Sequence, residues 1–190
     1  MFTANILRGP LVAAALALPG LSGAAISPAL SETVRQLAQA PSQNLEAIFQ
    51  QVHANPELAF QLDETAALVA KKLKKMGYKV HTGIAQTGLA AVLKNGEGPV
   101  IMFRSDMDAL PVKEDSGLPY ASKKQVTLDD GSSQYVSHAC GHDAHTAWLL
   151  GIAKVMMETR DSWSGTLVLV GQPAEELIAG AQAMVDDGLY

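Results

Sequence analysis

The sequence predicts an α/β fold, a central mostly parallel sheet flanked by helices, on three observations. Two amphipathic helical runs come first, short apolar strand-like runs follow, and a further helix separates the last two strands. The residues able to carry chemistry then fall just past strand ends and at a helix entry, where open α/β sheets build their ligand crevices.

After a loose stretch containing Pro28 and Pro41, Leu45, Ile48, Phe49 and Val52 recur at helical spacing until Asn55-Pro56 ends the run. The second helix has Leu62, Ala66, Val69, Ala70, Leu73 and Met76 on one face, Asp63 and Glu64 in the first turn, lysines late, and Gly77 as C-terminal cap. Strands are expected at Tyr78 to Thr82, Leu89 to Leu93 and Val100 to Phe103, the last an apolar run suited to a sheet covered on both faces. Ser116 to Tyr135 is polar and irregular and reads as a surface excursion. Thr146 to Glu158 reads as a helix burying Trp148, Leu149 and Ile152, and Leu167 to Val170 as a buried strand ending at Gly171-Gln172-Pro173.

At 190 residues, 48% hydrophobic and 17% charged, the chain suffices for one ordinary core; chains of this size bury about 70% of their unfolded surface. A net charge of -5 and no basic stripe argue against nucleic acid. The Lys71, Lys72, Lys74 and Lys75 group reads as the wet face of a helix. Residues 1–25 have the order of a secretory signal peptide: Arg8, an apolar stretch from Leu11 to Leu18, Pro19-Gly20, then small residues to Ala24-Ala25. That stretch is too short to span a bilayer, which needs about 20 residues, so stable membrane insertion is not expected. Export to the periplasm or beyond follows as an expectation, with 26–44 a loosely structured leader and 45–190 the folded unit.

Two short clusters stand out. His138-Ala-Cys140-Gly-His142-Asp143-Ala-His145 holds the single cysteine and three of the five histidines, and Gln172-Pro-Ala-Glu175-Glu176 holds adjacent carboxylates. Gly141 allows a tight turn that aims a thiolate and an imidazole at one point. Cys140 is thus a ligand or an inert buried thiol. The two glutamates are a ligand beside a catalytic carboxylate, their side chains diverging on extended backbone, or acidic residues at a helix start. Asp106 and Asp108 are supports for ligand imidazoles or polar caps at a strand end, and His145 is a support or a packing residue. His53 and His81 lack acidic or thiol companions nearby in sequence and read as structural or exposed.

The segments Arg104-Ser-Asp-Met-Asp-Ala-Leu-Pro111, His138 to His145 and Gln172 to Glu176, in this order and at these intervals, resemble the M20 metallopeptidase superfamily. The nearest branch is the amidohydrolases of N-acyl amino acids, hippurate and auxin-conjugate hydrolases among them, and the likeness runs from about Leu45 to Tyr190, including Asn55-Pro-Glu-Leu58. The resemblance implies metal ligation by Cys140, as a bridging thiolate, and by His142 and Glu176. It implies Glu175 as general base, Asp106 as outer support, and two divalent ions, zinc or manganese most commonly, cobalt or nickel in some members. It also implies a small-molecule N-acyl amino acid substrate, and an inserted α+β lid domain that serves as a homodimer surface. That insertion and two further histidine ligands find no counterpart here. The chain therefore reads as the N-terminal part of a longer protein, inactive by itself. Rival readings are a peptidase of the same family, a cysteine hydrolase with Cys140 as nucleophile, which leaves the glutamates idle, and a non-catalytic truncated product.

Overall fold

The computed structural model describes residues 26–39, 43–128 and 130–189. The expected signal peptide, residues 1–25, lies outside them. Helices α1 (Pro28–Gln39), α2 (Gln43–Ala54) and α3 (Asp63–Lys75) precede β1 (Lys79–Ile84), β2 (Gly88–Asn95) and β3 (Val100–Asp106). A small hairpin of β4 (Gln125–Thr127) and β5 (Ser133–Tyr135) leads to α4 (His142–Glu158), β6 (Gly165–Gln172) and α5 (Gly180–Asp186). The stretch expected to be a loose leader thus contains a helix, α1, although its side chains remain largely exposed. The polar excursion contains the β4–β5 hairpin.

The α/β class holds, but the sheet is mixed rather than mostly parallel. Its order is β1-β2-β6-β3, and only β3 and β6 run parallel. Adjacent β1 and β2 are joined by a short turn, which permits only antiparallel pairing, whereas β3 reaches β6 through the long crossover that contains α4. Successive residues of β6 serve opposite faces: Leu167 and Leu169 enter the large core with α2, α3 and α4, and Val170 joins Met184 of α5 on the other side. The apolar run of β3 is not covered on both faces. Among the described residues β3 is an edge strand, and Val100 and Ile101 are 70% and 60% exposed.

Two local devices set the approach to the site. Gly77, at φ 91, ends α3 as the sequence predicts: its N–H donates to the Lys74 carbonyl and that of Tyr78 to the Leu73 carbonyl, a closure that needs the left-handed conformation. At the other end of α3 the buried Glu57 carboxylate supplies the cap, accepting from the N–H groups of Glu64 (3.1 Å) and Thr65 (2.7 Å) and from the Thr65 hydroxyl (2.7 Å). The Glu57 carbonyl accepts from Ala109 N–H at 2.8 Å, so the Asn55 to Leu58 turn also fixes the chain just past β3. Glu57→Ala is expected to destabilise the protein by about 1–3 kcal/mol in urea unfolding, because it leaves buried donors without acceptors.

Candidate metal centre

Gly141 stands at φ 82 and starts α4, so the chain turns sharply between Cys140 and His142. An added Cβ would meet nothing within 4 Å there, so the requirement is the dihedral rather than space. The helix begins four residues earlier than the sequence suggests, placing His142 and Asp143 in its first turn. His142 is buried; its Nδ1–H donates to the Asp108 carbonyl at 2.7 Å, which leaves Nε2 as the free ligand atom. Around Nε2 stand Glu175 Oε2 at 3.7 Å, Glu176 Oε1 at 3.9 Å and Asp106 Oδ1 at 4.0 Å.

Cys140, His142 and Glu176 each present a donor atom within 4.8 Å of the others. The three residues singled out as ligands in the sequence are therefore brought together, although Cys140 itself is exposed. The glutamates stand in a turn rather than on extended backbone, and both carboxylates approach His142 Nε2 instead of diverging; the Glu176 side chain is 17% exposed and that of Glu175 is 41% exposed. The turn closes with Ile178 at φ 54, a conformation that β-branched residues rarely adopt.

Electrostatically the cluster is short of positive charge. The Glu176 carboxylate beside Cys140 pushes its thiol up, reinforced by the charges of Glu175 and Asp106. Burial alone lowers the pKa of His142, but the hydrogen bond that it donates to Asp108 and the charge of Asp106 outweigh it and raise the imidazole to about 9. Glu176 Oε1 is buried without a hydrogen-bond partner among the described residues. Sulfur, imidazole nitrogen and an unpartnered carboxylate oxygen, crowded by further carboxylates, form a donor set that fits a divalent cation with affinity for thiolate, such as zinc.

Asp108, which the sequence left as either support or cap, is the pivot of the arrangement. It is 1% exposed; Oδ1 accepts from Glu175 N–H and Oδ2 from Glu176 N–H, both at 3.0 Å, and Oδ1 lies 3.3 Å from His142 Nδ1. Burial would raise its pKa, but these donors hold it below the usual carboxylate range. Asp106 Oδ1 pairs with His145 Nδ1 at 2.6 Å and Oδ2 with Arg104 at 3.1 Å. His145 stacks on His142 and in turn meets Trp148, which is exposed rather than buried. Asp106, His142 and His145 form a second group with ligand spacing, but it draws on the same His142 and competes with the first group for one imidazole. His53 is buried, and His81 is exposed.

The site thus sets a thiol and an imidazole at a helix entry against paired glutamates just past a strand end. Residues 102–190 match Peptidase family M20/M25/M40, and the chain belongs to this family. It is 48% identical over 146 residues to hippurate hydrolase of Campylobacter jejuni, covering 76% of this chain and 35% of that protein. With N-acetyl-L-cysteine deacetylase of Bacillus subtilis it shares 43% identity over 145 residues, 76% of this chain and 33% of that protein. The YXEP protein of Bacillus subtilis, described as a dinuclear metal-binding peptidase from the M20 family, superposes with a TM-score of 0.69 at 34% identity, over 82% of this chain and 40% of that one. The chain thus spans about a third of the length of the curated relatives it matches.

Two outcomes follow. Without metal, the raised pKa of His142 means that protonated His142 contributes stability that is present below its ordinary pKa of 6.5 and is lost as pH rises toward about 9. Chelated protein should therefore melt lower at pH 9 than at pH 6.5, and zinc should reverse the loss. Asp108→Asn should weaken zinc binding by about 10–100-fold in a chelator competition while leaving the circular dichroism spectrum intact.

Proposed function

We infer that this chain carries the larger part of the site with which an M20 enzyme hydrolyses the amide bond of N-acyl amino acids. The observation that carries the reading is the contrast between the glutamates: Glu176, with a buried unpartnered Oε1, lies in one ligand-spaced group with Cys140 and His142, and Glu175, more exposed, stands 3.7 Å from His142 Nε2. The names of the relatives, hippurate hydrolase and N-acetyl-L-cysteine deacetylase, support an N-acyl amino acid as the substrate class.

Cys140, as thiolate, His142 and Glu176 would hold divalent metal, zinc or manganese by preference. Bound metal supplies Lewis acidity, polarising the scissile carbonyl and lowering the pKa of a water from 15.7 toward about 7. Glu175 takes a proton from the attacking water as the new C–O bond forms at the carbonyl carbon, and returns it to the amine nitrogen as the C–N bond breaks. The products are a carboxylate and a free amino acid. Asp108 fixes the backbone of both glutamates, so the base and the ligand keep their separation through the cycle. Because these residues span about a third of their relatives, we place the remaining ligands and most substrate contacts outside the 190 residues, and expect the chain alone to be inactive.

The test is Glu175→Gln in whatever length of the protein turns over N-benzoyl or N-acetyl amino acids. It should retain zinc at wild-type stoichiometry and lose at least 10²- to 10⁴-fold in kcat, the range of a general acid–base group. Turnover like that of the wild type would remove Glu175 from this role.

A further inference from the structure

His53 lies outside the metal centre, yet it is the best-partnered buried histidine among the described residues. Its Nδ1 is 2.6 Å from Asp143 Oδ2 on α4, and its Nε2 is 2.9 Å from Glu114 Oε1 in the segment after β3. A neutral imidazole has one N–H, so it would set a lone pair against one of these carboxylates; only the imidazolium donates to both. Burial lowers the pKa of His53, but the two carboxylates outweigh it and the net shift is upward. Tyr120 and Phe49 pack around the ring, and the buried His138, pushed down to about 4 chiefly by burial, is a neighbour that feels the charge of His53.

The contacts run on from both ends of this bridge. Asp143 follows the ligand His142 directly. Glu114 accepts from the Ser116 hydroxyl and, at 2.6 Å, from Ser122 N–H; the Ser122 hydroxyl donates to the Val136 carbonyl at 2.7 Å. Val136 N–H donates to the Lys124 carbonyl, and Ser137 pairs with Leu110 just past Asp108. His53 therefore closes a ring of bonds that starts at Val136 and ends at Asp143, the eight-residue stretch that contains both Cys140 and His142.

We propose that His53 is a positioning residue: with Asp143 on one ring nitrogen and Glu114 on the other, it fixes both ends of the Val136–Asp143 segment to α2 and so sets the separation of Cys140 from His142. The inference rests on the reading of Cys140, His142 and Glu176 as ligands. Its consequence is that the ligand geometry depends on a cation one step removed from the metal. The arrangement is lost as pH rises above 6.5 through the raised pKa of His53, since deprotonation leaves one carboxylate facing a lone pair.

The experiment measures amide exchange over residues 111–124 and 136–143, together with zinc affinity by chelator competition, in the wild-type protein, His53→Gln, Glu114→Gln and the double variant. Glu114→Gln keeps the shape of the contact and guards against loss of fold. Each single variant should raise exchange in both segments and weaken zinc about tenfold, the lower end for partners outside the coordination sphere. The double variant should be no worse than His53→Gln, because both substitutions break the same His53–Glu114 contact. The wild-type protein should lose protection, relative to intrinsic exchange, as pH rises above 6.5, while His53→Gln should not. Unchanged protection and zinc affinity in both single variants would overturn the proposal, as would strict additivity. If the wild-type protein fails to bind zinc, the ligand reading falls instead, and the exchange arm still decides whether His53 fixes the segment.

Discussion

One carboxylate joins the two halves of this site. Asp108 sits two residues past β3, and its oxygens take the backbone N–H groups of Glu175 and Glu176 while one of them also faces His142. The parallel pairing of β3 with β6 sets Asp106 opposite Gln172, so the two strands deliver their carboxyl ends side by side. Without a buried acceptor there, two amides of a tight turn would stand next to a desolvated imidazole with no partner, at a cost of about 1–3 kcal/mol each. Asp108 thus converts a sheet register into the spacing of a metal site.

Negative charge is then concentrated beyond what this chain neutralises. Asp106, Asp108, Glu175 and Glu176 converge on one imidazole and one thiol, with Arg104 the cation paired to Asp106. The raised Cys140 thiol and His142 imidazole are the same fact seen from two groups: protons stand where a cation would otherwise balance the carboxylates. On the reading of Cys140 and His142 as ligands, metal binding would release protons, and the outer carboxylates would orient those ligands as well as carry charge.

Much of this was legible in the sequence, because the determinants are local. The Cys-Gly-His turn, the paired glutamates after Pro173 and the Gly77 cap each lie within a few residues; the fold has the turn and the cap, and it brings Cys140, His142 and Glu176 to ligand spacing. The role of Asp108 was not legible. Two aspartates separated by one residue are equivalent on paper, and only the strand register decides which turns toward Glu175 and Glu176 and which toward His145. His53 was hidden more deeply, since its partners lie 61 and 90 residues away. The apolar run of β3 suggested a covered strand, but hydrophobicity reports what a strand can bury, not whether a neighbour lies beside it. The mixed sheet was missed for a related reason: pairing direction depends on the connection, and the short β1–β2 turn requires antiparallel neighbours.

The convergence of sulfur, nitrogen and oxygen on one ion is the claim on which the rest depends. X-ray absorption at the zinc edge of the zinc-loaded protein tests it most directly. The account predicts a sulfur scatterer at about 2.3 Å together with nitrogen or oxygen at about 2.0–2.2 Å, with the sulfur shell lost in Cys140→Ser. A first shell of light atoms only in the wild-type protein would contradict it.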